Sequence, residues 1–244
     1  MSNFLEIHPS QLQGHFTVPS SKSHTLRAIL LASLASGKSV VSNWLNSTDT
    51  HRMIKACESF GAKIEVGEFL SIEGNRGVIT TPGDVIDVGN SGLVLRLCGA
   101  IAALGNDYTV FSGDESIRSR RPVQPLIDGV NGWGGFAAST KRDGHAPLIV
   151  KGPFVKGEAF IDGEDSQPVS ALLLAGALSS GKKVLHVKNP GELPWIGLTL
   201  DWMKNLGLTV THQNYKKYEI KGGESIDAFS YQVPGDFSSA AFPL

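Results

Sequence analysis

Apolar residues in this chain come in blocks, and the blocks recur in a fixed order. A short polar segment leads into an apolar run of small residues, and the run stops at a glycine. Ser20-Ser21-Lys22-Ser23 precedes Arg27–Gly37, Gly89-Asn90-Ser91-Gly92 precedes Val94–Gly105, and Gly163-Glu164-Asp165-Ser166-Gln167 precedes Val169–Gly181. A fourth polar segment, Gly235-Asp236-Phe237-Ser238-Ser239, opens shortly before Leu244. Recurrence at about 70 residues marks an internal repeat, which decides the architecture before any single element does.

Each repeat reads as helix, strand, helix, strand, strand. In the first, Lys22–Ser36 is predicted helical, with the serines before it offering oxygens to unpaired backbone N–H groups and Gly37 closing the helix. Ser39–Leu45 reads as a strand, Thr50–Phe60 as a helix capped by Thr48-Asp49, and Lys63–Val66 with Leu70–Glu73 as a hairpin. The second repeat gives helix Ser91–Leu104, strand Tyr108–Ser112, helix Pro122–Asn131 and strands Phe136–Ser139 and Leu148–Val150. The third gives helix Pro168–Leu178, strand Lys183–Val187, helix Trp195–Leu206 and strands Leu208–Gln213 and Tyr218–Lys221. Pro122, Pro168 and Pro194 are expected in first turns, where a missing N–H costs nothing.

The first helix of each repeat is apolar nearly all round, as in Ala171-Leu172-Leu173-Leu174-Ala175-Gly176-Ala177. A helix with no polar face is buried on every side. Three of them surrounded by strands predict an α/β fold with helices inside and sheets outside. The rest of the composition narrows the chemistry. A net charge of −1 gives no general attraction to nucleic acid or an anionic membrane, so any anion site is local. No apolar run approaches the ~18 residues of a membrane span, and Met1–Glu6 lacks the blocks of a signal peptide. A cytoplasmic enzyme is expected. Cys57 and Cys98 suggest neither a disulfide framework nor a zinc site, and the seven histidines show no metal-ligand spacing.

Helix N-termini gather free N–H groups and partial positive charge. If the three inner helices run parallel, Lys22/Ser23, Asn90/Ser91/Gly92 and Ser166/Gln167 meet at one end of the domain, with Arg27 nearby. Arg118, Arg120 and Arg121 add guanidinium groups that grip phosphate or carboxylate bidentately. A serine before a helix is by itself a cap, and an isolated lysine a solvated charge. Recurrence at equivalent points of three repeats argues for a face that takes a substrate with several anionic groups. Gly37-Lys38-Ser39 is not a phosphate loop, because Ala32 stands where its first glycine is needed. His24 reads as a helix-start residue.

At this point the residues resemble a known family. Pro19-Ser20-Ser21-Lys22-Ser23-His24-Thr25-Leu26-Arg27-Ala28 is similar to the amino-terminal signature of the 5-enolpyruvylshikimate-3-phosphate synthases. Gly89–Gly92, Gly113–Ser116, Arg120-Arg121-Pro122, Ser166-Gln167 and Val233–Ala241 resemble later family segments in the right order. The resemblance implies an enolpyruvyl transferase lobe, an inside-out α/β barrel of three units at about 18–82, 83–154 and 155–235, with 1–17 and 236–244 belonging to a second lobe otherwise absent. It implies transfer of the enolpyruvyl group of phosphoenolpyruvate to the 5-hydroxyl of shikimate 3-phosphate. Phosphate leaves by C–O cleavage through a tetrahedral ketal, with no metal or organic cofactor and no nucleic-acid or membrane partner. A full-length protein of this kind is expected to be monomeric.

By the same resemblance, Lys22 is the catalytic candidate and touches both substrates. Ser23 and Arg27 hold the shikimate carboxylate, and Ser166 and Gln167 reach the shikimate phosphate. Asn90, Gly92, Arg121 and Gln167 serve phosphoenolpyruvate, with Gly92 sparing room that a Cβ would take. The proton-transferring carboxylates of such enzymes lie on the other lobe, so the 244-residue chain alone is expected to be inactive. Leu93, Leu97, Asp165 and Glu192-Leu193-Pro194-Trp195 depart from the family pattern, and two acids beside a phosphate are electrostatically odd. Two further readings are a non-catalytic ligand-binding lobe and a UDP-N-acetylglucosamine enolpyruvyl transferase. The latter would carry Lys-Asn at 22–23 and a loop cysteine within Gly113–Arg121, and neither is present.

Overall fold

The computed structural model describes residues 13–241. Its first unit comprises α1 (Lys22–Leu34), β1 (Lys38–Ser42), α2 (Thr48–Ser59), β2 (Lys63–Val66) and β3 (Leu70–Glu73). The second comprises β4 (Ile86–Asp87), α3 (Gly92–Ala102), β5 (Thr109–Ser112), α4 (Glu115–Ser119), α5 (Gln124–Gly132), β6 (Phe136–Ser139) and β7 (Leu148–Lys151). The third comprises β8 (Glu158–Asp162), α6 (Ser166–Leu178), β9 (Lys183–Lys188), α7 (Leu193–Asn205), β10 (Val210–Gln213) and β11 (Lys217–Ile220). The strand β12 (Ser230–Gln232) and the short α8 (Phe237–Ala240) follow.

The predicted helix-and-sheet units are present, with the unpredicted short helix α4 and a leading strand in each sheet added. Three four-stranded sheets share one plan, in the orders β12-β1-β3-β2, β4-β5-β7-β6 and β8-β9-β11-β10. In each, a leading strand runs parallel to the strand after the inner helix, and the other two pair antiparallel. These leading strands, β4, β8 and β12, are missing from the pattern read in the sequence. The first unit receives its leading strand from far along the chain: β12 pairs with β1 in the register Val40↔Ser230 and Val41↔Tyr231. The loop before α5 also differs from expectation. Pro122 lies ahead of that helix, and it is the following proline, Pro125, that occupies its first turn.

The sheets face outward. Along β8 the residues alternate, with Ala159 and Ile161 buried and Glu158, Phe160 and Asp162 exposed, the period-2 signature of a sheet with one wet face. α1, α3 and α6 are buried almost from end to end, and their side chains join a single hydrophobic core. Close packing depends on small residues. A Cβ on Gly176 of α6 would come within 3.0 Å of the Trp133 ring, which is itself fully buried. Among the described residues no helix is long and apolar enough to cross a membrane. Of the stretch assigned to a second lobe, residues 1–12 and 242–244 lie outside the described part.

Candidate functional site

Three inner helices begin side by side. α1 starts after Ser21, whose hydroxyl accepts from His24 N, and α3 after Ser91, whose hydroxyl accepts from Val94 N, both at 3.5 Å. α6 starts after Asp165, whose carboxylate accepts from Gln167 N at 2.9 Å. All three first turns open into one cavity of about 380 Å³, within the range of small-molecule sites.

The structure brings all eight candidate residues to this cavity. Lys22, Ser23 and Arg27 come from α1, Asn90 and Gly92 from the start of α3, Arg121 from the loop between α4 and α5, and Ser166 and Gln167 from α6. Asp49 of α2, Glu192 ahead of α7 and Trp195 within it complete the wall. Trp195 is 41% exposed and lines the cavity.

Arg27 is 2% exposed. Its guanidinium donates twice to Thr199 Oγ1, at 3.0 and 2.8 Å, and once to Ser23 O at 3.1 Å. Thr199 donates in turn to Ser170 Oγ at 3.0 Å, which holds the acceptor in place. None of these partners carries charge, and among the described residues no carboxylate pairs with Arg27. Burial alone pulls its pKa down to about 10, so it stays a cation at neutral pH at a desolvation cost. Lys22 pairs with Asp49 at 3.3 Å and is half-exposed. Arg121 is exposed and makes no hydrogen bond or ion pair among the described residues.

A fourth cation, Arg96, is absent from the sequence-derived set. It is 3% exposed and anchors the wall between this cavity and a second, of about 580 Å³, reached past Arg120 and Arg121. Its guanidinium meets Asp165 Oδ2 at 2.9 Å, Pro122 O at 2.8 Å and Gln167 Oε1 at 3.1 Å. Burial lowers its pKa, and the Asp165 charge partly restores it. The signal was there to be used: one arginine in the apolar run Val94-Leu95-Arg96-Leu97-Cys98 must find a partner if the helix is buried. A Cβ on Gly92 would lie 2.5 Å from Arg96 Nη1 and 3.0 Å from Arg121 Cδ, so the pinned Arg96 side chain would have to shift to admit one.

The two odd acids acquire partners. Asp165 caps α6 and neutralises Arg96. Glu192 accepts from Ser166 Oγ at 2.7 Å and Ser166 N at 3.3 Å. It does so from a left-handed backbone at φ 46° and ψ 43°, which costs a non-glycine residue about 1–2 kcal/mol.

The profile of the family described as EPSP synthase (3-phosphoshikimate 1-carboxyvinyltransferase) matches residues 7–244. A protein of Acetivibrio thermocellus named 3-phosphoshikimate 1-carboxyvinyltransferase is 40% identical over 98% of this chain and 56% of its own length. One of the same name from Chlamydia muridarum is 39% identical over 97% of this chain and 53% of its own. The chain thus spans about half the length of the curated relatives it matches. A solved structure, EPSP synthase from Acinetobacter baumannii, superposes with a TM-score of 0.82 at 27% identity, covering 94% of this chain and 52% of that one.

Proposed function

Because the chain belongs to the EPSP synthase (3-phosphoshikimate 1-carboxyvinyltransferase) family, we propose that its cavity holds shikimate 3-phosphate and phosphoenolpyruvate for enolpyruvyl transfer to the shikimate 5-hydroxyl. One observation carries this reading. Arg27 is a buried cation that faces the cavity with no carboxylate against it among the described residues, and a buried charge favours a site where a counter-charge arrives.

The two substrates bring carboxylates and phosphates, and the cavity offers matching donors. Arg27 and Ser23 take the shikimate carboxylate, fixed by the Thr199–Ser170 relay behind them. Ser166 and Gln167 take its phosphate at the start of α6. Arg121, with the N–H groups at the start of α3, takes phosphoenolpyruvate. Lys22, on the same cavity wall, serves both substrates and balances the charge that moves as the C–O bond to phosphate breaks. Asp49, paired with Lys22, orients its ammonium group. The reading as a UDP-N-acetylglucosamine enolpyruvyl transferase finds no support, since both cysteines are buried in the core.

The test is a titration of this chain with shikimate 3-phosphate, followed by Trp195 fluorescence, with unphosphorylated shikimate as control. Saturable binding with Kd of ~1 mM or tighter, weakened when the phosphate is missing, is the expected result. No response to either ligand at several times that concentration would sink the reading.

A further inference from the structure

We propose that Glu192 is a tethered occupant of the phosphate position at the start of α6, a specificity-determining residue that an incoming phosphate must displace. The proposal rests on the functional reading above, which seats the shikimate phosphate on Ser166 and Gln167.

The first two N–H groups of α6 are both already engaged by carboxylates, Ser166 N by Glu192 and Gln167 N by Asp165. The Ser166 hydroxyl also donates to Glu192, at 2.7 Å. At α1 and α3 the corresponding N–H groups, of Lys22, Ser23, Gly92 and Leu93, donate to nothing among the described residues. The difference is built into the chain that carries Glu192. Gly191 N donates to Gly163 O at 2.9 Å, and Asn189 Nδ2 donates to Asp162 Oδ2 at 3.0 Å. A Cβ on Gly191 would lie 2.4 Å from Glu164 O, so only glycine lets this loop lie flat against the approach to α6. These pins aim the carboxylate at Ser166, while the residue as a whole remains exposed and has open solvent to swing into.

Binding at this point is therefore an exchange of one anion for another. The phosphate gains the Ser166 donors only as Glu192 releases them, and the expelled carboxylate stays nearby as a like charge. The expected consequence is low affinity for the phosphate end of the ligand, with no effect on the carboxylate end at Arg27.

The experiment compares the wild type with Glu192→Gln, which keeps size and an acceptor oxygen but removes the charge. Kd is measured for shikimate 3-phosphate and for shikimate. The proposal expects shikimate 3-phosphate to bind about tenfold tighter to the variant while shikimate changes less than about twofold. Equal shikimate 3-phosphate affinity in the two proteins overturns the proposal and leaves the functional reading standing, and so does a gain shared by both ligands. Binding by neither protein overturns both. If the variant does not fold, a crystal structure of the wild type soaked in inorganic phosphate decides. Glu192 withdrawn from Ser166 with phosphate in its place supports the proposal, and Glu192 still on Ser166 refutes it.

Discussion

The helix ends that meet at the cavity are built from equivalent repeats, yet they carry different chemistry. α1 and α3 begin with neutral serines, so their dipoles and first N–H groups face the cavity undischarged. α6 begins with Asp165 and is overlaid by Glu192, so its end is already neutralised by two carboxylates. Asp165 has a local reason: it is the counter-charge of Arg96, the cation embedded in the wall of α3. Repetition of a fold unit thus sets where the donors point, while the loop residues at the helix starts decide which donors are free.

The largest effect that would sharpen this contrast is on stability. Asp165→Ala removes a cap and strands Arg96, and is expected to lower the unfolding free energy by about 3 kcal/mol. Ser91→Ala removes only a cap and should cost about 1 kcal/mol. Urea denaturation of the two variants gives both values, and equal losses would mean that the ion pair contributes nothing. On the proposed function, Arg27 should behave in the opposite sense. Arg27→Met is expected to weaken shikimate 3-phosphate binding roughly a hundredfold by calorimetry while leaving the urea midpoint unchanged or raised. A variant that loses stability in step with binding would show that Arg27 is a structural residue.

The smallest effect concerns His24, at the start of α1. Its ring stacks on Tyr231, and its Nδ1 lies 2.6 Å from the tyrosine hydroxyl. Burial first, and then the nearby Arg27 charge, hold its pKa below the usual 6.5. The unfolded chain therefore takes up this proton at higher pH than the folded one. The contribution to stability is complete above pH 6.5 and is lost as pH falls through the folded value, by at most about 1.4 kcal/mol per pH unit. Urea midpoints of the wild type and His24→Gln between pH 7 and 5 should diverge, with the wild type more acid-sensitive. Parallel curves would exclude His24 as the titrating group.

Much of this was legible in the residues. Ser21, Ser91 and the Gly163–Gln167 segment mark where buried helices begin, and buried helices that begin together imply a shared face. Local pattern finds such ends because caps and apolar runs act within a few residues of each other. It missed β4 and β12 because strands of two and three residues are too short to show a period, and β8 because the exposed Phe160 makes Ala159–Ile161 read as one apolar run although its burial alternates. Arg96 was hidden by its surroundings, read as one more position in an apolar run, although its charge was the clue. Asp49 reaches the cavity only through tertiary placement, whereas the family resemblance already set Glu192 beside the phosphate. The left-handed turn at Glu192 has no glycine or asparagine at that position to announce it.

The strand β12 sets an order of events during synthesis. Phe229 N donates to Ser39 Oγ across 190 residues, and the strand that follows fills the remaining edge of the first sheet. Of the three described units, the one synthesised first is therefore the last to be finished. β1 carries an open edge through the making of the other two units, and that edge can template pairing with another nascent chain. Translation halted before Ser230 would leave this edge exposed for good, so the three units form a ring closed by its final link.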